Sequence, residues 1–306
     1  MQKFAEALLK GNNIAYLGAA IMGFFIFSYI IYNWMSYAIL KEKYHGIRFT
    51  TKNIAYITML VAVSVSVTVV VSLAAPITVF PPIRIAIEGL MVKIAGFIFG
   101  PIVGVIVGLI TEVLVMLFVP SFIHPAFIII VVCYGFVAGI GSSFLRVGRG
   151  NNWIMLALTN IFLIGFGIAM VYVIDAAKNI DEIQIVSIKM DKQIFKWVFI
   201  ISILLCVFMV WAIAIGGMIS KHRKMLNTYM PILLFATASE YIVTSVISAW
   251  GDYGFLGLQQ TNNSNDSGYI LMFMARLVQA PLKIVTNATI LYYTYKAVSP
   301  LIKRDR

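Results

Sequence analysis

Ionisable residues inside long apolar runs are the feature of this sequence best able to do chemistry. Arg84 and Glu88 stand four residues apart, close enough to pair along one helix. Lys93 and Glu112 flank a Gly-Pro step at 100–101, and Glu240, Arg276 and Lys283 fall in the last two apolar runs. A charge at the centre of a bilayer costs about 2.5–3.5 kcal/mol on insertion scales, so each needs a partner or a task. Lys93 and Glu112 read equally as a structural or snorkelling pair and as functional groups. Arg276 and Lys283 are seven apart, which puts them on one helical face two turns apart. Such a face suits a cavity for an anionic ligand, or a buried Glu240–Arg276 pair that holds the bundle together. His124, beside Pro125, reads as a hydrogen-bonded loop residue or as a gating group. Trp250 ends an apolar run as interfacial belt residues do, and its ring also suits stacking on a flat ligand.

The elements that must position these groups are membrane helices. Of the 306 residues, 61% are hydrophobic and 11% charged, and the mean hydropathy is +0.95. Soluble domains carry about 25% charged residues, so lipid must be the solvent for most of this surface. Runs of roughly 20 apolar residues, the length that crosses the hydrocarbon, cover 14–35, 54–75, 126–145, 153–174, 194–220, 229–250 and 270–298. The stretch 85–118 is long enough for a pair of short spans, broken at Gly100-Pro101. The expectation is an all-α, polytopic membrane bundle of about nine helices. The first run is too long for a signal-peptide core and is kept as a helix. The polar insert at 175–193 reads as a loop or a short helix.

Charge placement orients the helices. Lys41, Lys43, Arg48 and Lys52 follow the first helix; Arg146 and Arg149, then Lys221, Arg223 and Lys224, then Lys296, Lys303, Arg304 and Arg306 occupy alternate connections. The intervening loops hold Asp181, Glu182 and Asp191, or Asp252 and Asp266. The positive-inside rule puts the C-terminus in the cytoplasm and the N-terminus outside, against Lys3 and Lys10. The net charge of +11 is therefore a membrane signature, without the aromatic–basic interleaving of a nucleic-acid binder. Cys133 and Cys206, both inside apolar runs, read as core residues with no disulfide or metal role. No H-E-x-x-H, G-x-S-x-G, paired-aspartate or G-x-x-x-x-G-K-[ST] motif occurs. No catalytic residue, metal or cofactor is expected, and a lipid-modifying membrane enzyme is the alternative of a different class.

The segment with the most specific pattern runs from Pro81 to Gly108. Gly96, Gly100, Gly104 and Gly108 recur every fourth residue, the spacing of small-xxx-small seams that bring helix backbones together. The order Pro81-Ile83-Arg84-Ile85, then Ala95-Gly96-Phe97-Ile98-Phe99-Gly100-Pro101, then Gly104 and Gly108, then Val119-Pro120-Ser121 and His124-Pro125-Ala126-Phe127 is distinctive. It resembles the core signature of the substrate-binding S components of energy-coupling-factor (ECF) vitamin transporters, most of all the folate family. Tyr134-Gly135 and the stretch Arg276–Pro281–Asn287–Tyr292 extend the resemblance, which covers about 51–145 and 229–303. Glu112 stands where the family favours Asp, and the family's paired alanines survive as Ala62 and Ser66.

The resemblance implies a six-helix core plus about three extra helices. Residues 1–50 hold an additional first helix and a cytoplasmic loop. Residues 51–150 hold the first four core helices, 151–225 an inserted pair, and 226–306 the last two. It implies capture of a vitamin, folate first, under loops 72–84, 120–125 and 250–269, with riboflavin or pantothenate as alternatives. Arg84, His124, Glu240, Trp250, Arg276 and Lys283 are the expected binding residues, the cations facing the carboxylates of folate's glutamate tail. It further implies a transmembrane T protein and two ATPases as partners in a bacterial plasma membrane, docking on Ala62, Ser66, Gly96, Gly100, Gly104 and Gly108. Delivery by toppling of the whole subunit within the bilayer is the family's mechanism.

Overall fold

The computed structural model describes residues 12–40, 51–74, 81–118, 124–147, 152–176, 182–185, 188–219, 223–255 and 267–303. The described chain is helical apart from one short hairpin. In order come α1 (Asn13–Leu40), α2 (Thr51–Ala74), α3 (Pro81–Phe99), α4 (Pro101–Phe118), α5 (Pro125–Val147) and α6 (Asn152–Ala176). Strands β1 (Glu182–Ile185) and β2 (Ile188–Asp191) follow, then α7 (Lys192–Ile219) and α8 (Arg223–Ala238). α8 continues through a π-helical stretch, Ser239–Ile247, into α9 (Ser248–Phe255), and α10 (Ser267–Lys303) closes the chain. Seven of the described helical segments are long and apolar enough to cross a membrane. Large apolar side chains stand exposed along them, among them Phe24, Ile161, Phe208 and Leu117, as a lipid-facing surface requires. This is the architecture of a multi-pass membrane protein.

The chain divides into two compact units, Tyr16–Ile140 and Gly141–Arg306, the latter taking in Met1–Ala15. In the first, α2, α3 and α4 pack on one another. The α3–α4 break has a local cause. Gly100 takes φ 98°, a left-handed conformation that only glycine adopts readily, and its N–H bonds the Gly96 carbonyl at 2.8 Å. Pro101 then opens α4, where its missing N–H is no loss. The glycines that follow are filled by neighbours: a Cβ on Gly104 would lie 2.5 Å from Gly96 Cα and 2.6 Å from the Gly135 carbonyl oxygen. One on Gly139 would meet the Pro101 backbone at 2.1 Å. α3, α4 and α5 are thus joined backbone to backbone.

In the second unit, α6, α7 and α10 all pack against the long rod formed by α8, the π stretch and α9. That rod is the most polar span and also the most enclosed: 83% of its apolar window is buried, against 28% for α6 and 33% for α7. Thr237, Ser239, Glu240, Thr244, Ser245 and Ser248 are all buried on it. Hydroxyls replace part of the lost backbone register: Ser245 Oγ donates to the Glu240 carbonyl at 2.9 Å and Thr237 Oγ1 to that of Leu233 at 2.7 Å. Phe166 of α6 ties the rod to its neighbours, 5.1 Å from the Tyr241 ring and 6.5 Å from that of Phe199 on α7.

The insert expected to be a loop or short helix contains an antiparallel β-hairpin instead. Glu182 pairs with Asp191, Ile183 with Met190, Gln184 with Lys189 and Ile185 with Ile188. Its sequence alternates polar and apolar residues, the period of a strand rather than a helix. β1 lies against α10. Just beside the hairpin, Lys196 Nζ reaches both oxygens of Asp175, at 2.6 and 2.8 Å, and clips α7 to the end of α6.

Candidate functional site

The buried charges of the second unit converge on the seam between the α8–α9 rod and α10. Asp252 (3% exposed) on α9 and Arg276 (4%) on α10 form an ion pair. Arg276 Nε donates to Asp252 Oδ2 at 2.7 Å. Nη2 lies 2.5 Å from the same oxygen as an ion pair and has no hydrogen-bond partner among the described residues. The guanidinium therefore meets Asp252 through one edge, and Asp252 Oδ1 is buried with no donor among the described residues. Ser248, one turn before Asp252 on the same face, also has a buried hydroxyl with no hydrogen-bond partner among the described residues.

A second level lies deeper along both helices. Glu240 (1% exposed) sits in the first turn of the π stretch, and its Oε1 is buried without a hydrogen bond to any described residue. Lys283 of α10 is half-buried and close enough to Glu240, Asp252 and Arg276 to interact electrostatically with all three. At 1.5 Å per residue, Lys283 is about 10 Å along α10 from Arg276, and Glu240 is roughly 15–18 Å along the rod from Asp252. Beside Glu240, the Tyr241 hydroxyl and the Cys206 thiol of α7 are 3.0 Å apart. An apolar crevice lined by Cys206, Val210, Leu233, Thr237, Pro281 and Ile284 adjoins this level. π-helical turns are rare and gather at functional sites because they re-aim side chains at the expense of the regular ladder.

Three of the expected binding residues, Glu240, Arg276 and Lys283, are thus brought together, but the pairing differs from expectation. Arg276 takes Asp252 as its partner rather than Glu240. Asp252 reads from the sequence as part of an acidic outer loop; it lies instead within a helix that continues through Gly251 and Gly254 to Phe255. The signal available was a carboxylate at the edge of an apolar run, with an arginine at the matching depth of the next. Trp250 is half-buried, two residues before Asp252 on α9.

His124 belongs to the other unit and has a structural task. It caps α5: its Nδ1 accepts the Ala126 N–H at 3.3 Å, and its carbonyl accepts that of Phe127 at 3.0 Å. Partial burial lowers its pKa below the ordinary imidazole value, which favours the neutral, accepting ring. Arg84 lies on α3, and its side chain is outside the described residues, as are 75–80, 120–123 and 256–266 of the expected binding loops. Lys93 (4% exposed) rests over the Tyr134 ring, 4.1 Å from its centroid, a buried cation–π contact.

The glycines expected to dock a partner are used inside the chain. Gly96 and Gly104 abut Gly135, and Gly108 abuts Val131, so they present no free face. Gly100 supplies the turn. Ala62 and Ser66 do stand exposed, one turn apart on α2.

No protein-family model matches the chain, and no solved structure matches it. It is similar to the Uncharacterized protein MG098 homolog of Mycoplasma pneumoniae, with 21% identity over 328 residues that span 92% of this chain and 68% of that protein.

Proposed function

We propose that this chain is the substrate-binding subunit of a membrane importer, an S component of the ECF type that its 81–108 segment resembles. The observation that carries the reading is the seam of charges at two levels, Asp252 with Arg276 and Glu240 with Lys283, between a π-distorted rod and α10, with polar atoms unpaired among the described residues. Intramembrane charges of this kind mark solute pathways. In this reading α2–α5, the α8–α9 rod and α10 form the six-helix core, with α1 and the α6–α7 pair as additions. Lys52, Arg146, Arg223 and Lys303 stand at alternate helix ends, and on the positive-inside rule the C-terminus is cytoplasmic and the N-terminus external in a bacterial plasma membrane. Substrate is captured outside and released inside after the subunit topples against a T protein energised by two ATPases. The α2 face bearing Ala62 and Ser66 is the docking surface for that partner.

Ligand profiling of the detergent-purified protein tests the reading, with folate first and riboflavin and pantothenate beside it. A true ligand at a hundredfold excess over its Kd adds about 2.7 kcal/mol to apparent stability. Arg276→Ala abolishes that gain while the protein stays monodisperse. Absence of any stabilising solute, together with absence of ATPase subunits from a native pulldown, sinks the proposal.

A further inference from the structure

We infer that the ligand of the Asp252–Arg276 level is a zwitterion of the α-amino-acid type, an inference that rests on the substrate-binding reading above. Charge balance is the first reason. Among the described residues, Glu240 and Asp252 are matched by Arg276 and Lys283, so this set is formally neutral. A dianion such as folate leaves net charge in a low-dielectric seam, which is expensive; a zwitterion adds none. The unpaired atoms are the second reason. Asp252 Oδ1 requires a donor and Arg276 Nη2 an acceptor, and Ser248 Oγ, one turn away on the same face, serves as either. All three residues are more than nine-tenths buried. An ammonium on Asp252 Oδ1 and Ser248, with its neighbouring carboxylate on the guanidinium edge that Asp252 leaves open, fills every one of these bonds. Asp252 is then both the ammonium acceptor and the group that holds Arg276 in place.

The test is isothermal calorimetry on the full chain in nanodiscs against the twenty common L-amino acids, folate, riboflavin and pantothenate. For L-leucine, 4-methylpentanoate and 3-methylbutylamine are the matched analogues lacking the ammonium and the carboxylate. The expected result is saturable binding of at least one amino acid, at least tenfold tighter than either of its matched analogues. Asp252→Asn weakens the amino acid at least tenfold more than the matched carboxylate, and Ser248→Ala, which leaves the ion pair intact, weakens it about threefold or more. Equal affinity for the amino acid and its des-amino analogue overturns the inference and makes the level a simple anion site. Binding of a vitamin with no response to any amino acid overturns it too, yet leaves the importer reading standing. No binding of any solute overturns both.

Discussion

Gly135→Ala sets two effects of opposite sign against each other, and the structure decides which wins. In an exposed helix interior, alanine is more favourable than glycine by about 0.8–1.0 kcal/mol. At Gly135 a Cβ would lie 2.4 Å from the Gly104 carbonyl carbon, 2.5 Å from its oxygen and 2.6 Å from Val105 N. Carbon–carbon contacts are optimal at about 3.5–4.0 Å, so α4 has to retreat by roughly 1 Å. The obstacle is backbone, which cannot rotate aside, and Gly104 is itself pressed against Gly96 of α3, so the retreat loosens both helix pairs. Overpacking of this kind costs about 1–3 kcal/mol or more. The expected net result is destabilisation by about 1–2 kcal/mol. Gly165→Ala is the control, since a Cβ there meets nothing within 4 Å on the exposed side of α6; it is expected to be neutral or stabilising by up to about 1 kcal/mol. Thermal denaturation in detergent, followed by recovery of the monomer peak on size exclusion, reads both. If Gly135→Ala melts at or above the wild-type temperature, the backbone-contact account of α3–α5 is wrong.

Asp252→Asn or Arg276→Gln alone is expected to cost about 3–5 kcal/mol by stranding a buried charge, whereas the double variant recovers most of that loss; a double-mutant cycle on thermal stability measures the coupling, and simple additivity would refute it. His124→Ala removes the α5 cap and is expected to cost about 1 kcal/mol, read by the same melt. Because the folded state lowers the His124 pKa below the usual 6.5, the neutral cap contributes fully above that value and is lost as pH falls through the folded pKa. A melt series should therefore show His124-dependent destabilisation on acidification, absent from His124→Ala. Lys196→Ala breaks the pair with Asp175, whose side chains are 28% and 52% exposed, and should change stability by no more than about 1 kcal/mol; a larger loss would show that the clip orders the adjoining hairpin.

Helix positions were legible from hydropathy because lipid imposes a length and an internally bonded backbone on every span. The Gly100-Pro101 break was legible because both residues act through local stereochemistry. The partners of Gly96, Gly104 and Gly108 were not, since a small-residue stripe is the same whether it faces its own chain or another; Gly135 and Gly139 on α5 decide it in space. Sequence spacing grouped Glu240, Arg276 and Lys283 but could not choose between Glu240 and Asp252 as the partner of Arg276, because that depends on how far the helix continues beyond Trp250. Nothing local announces the π stretch, whose register reflects the packing of a mostly buried span and the hydroxyls that donate to the carbonyls of its loosened turns. The hairpin was hidden for another reason: four-residue strands are too short for their alternation to stand out against the charge that made the insert look like a loop.

The two units hold their helices together by different physics. Where α3, α4 and α5 meet, backbones touch through glycines and the contact is van der Waals, the economical solution where lipid tails are as apolar as leucine. In the other unit the most enclosed rod carries the hydroxyls, two carboxylates and the distorted helical turn, and its neighbour supplies two cations. Packing alone gives no reason for that choice. A buried ion pair replaced by well-packed apolar residues of the same volume is often neutral or stabilising, by about 1–4 kcal/mol. Here the pair is also incompletely bonded, with Asp252 Oδ1, Arg276 Nη2 and Glu240 Oε1 left over in a setting where each unmade hydrogen bond costs about 1–3 kcal/mol. A bundle shaped only for stability would have closed these bonds or done without the charges. On the substrate-binding reading proposed above, polar atoms kept unpaired at that expense are contacts reserved for a solute, which completes them on arrival and gives them up on release.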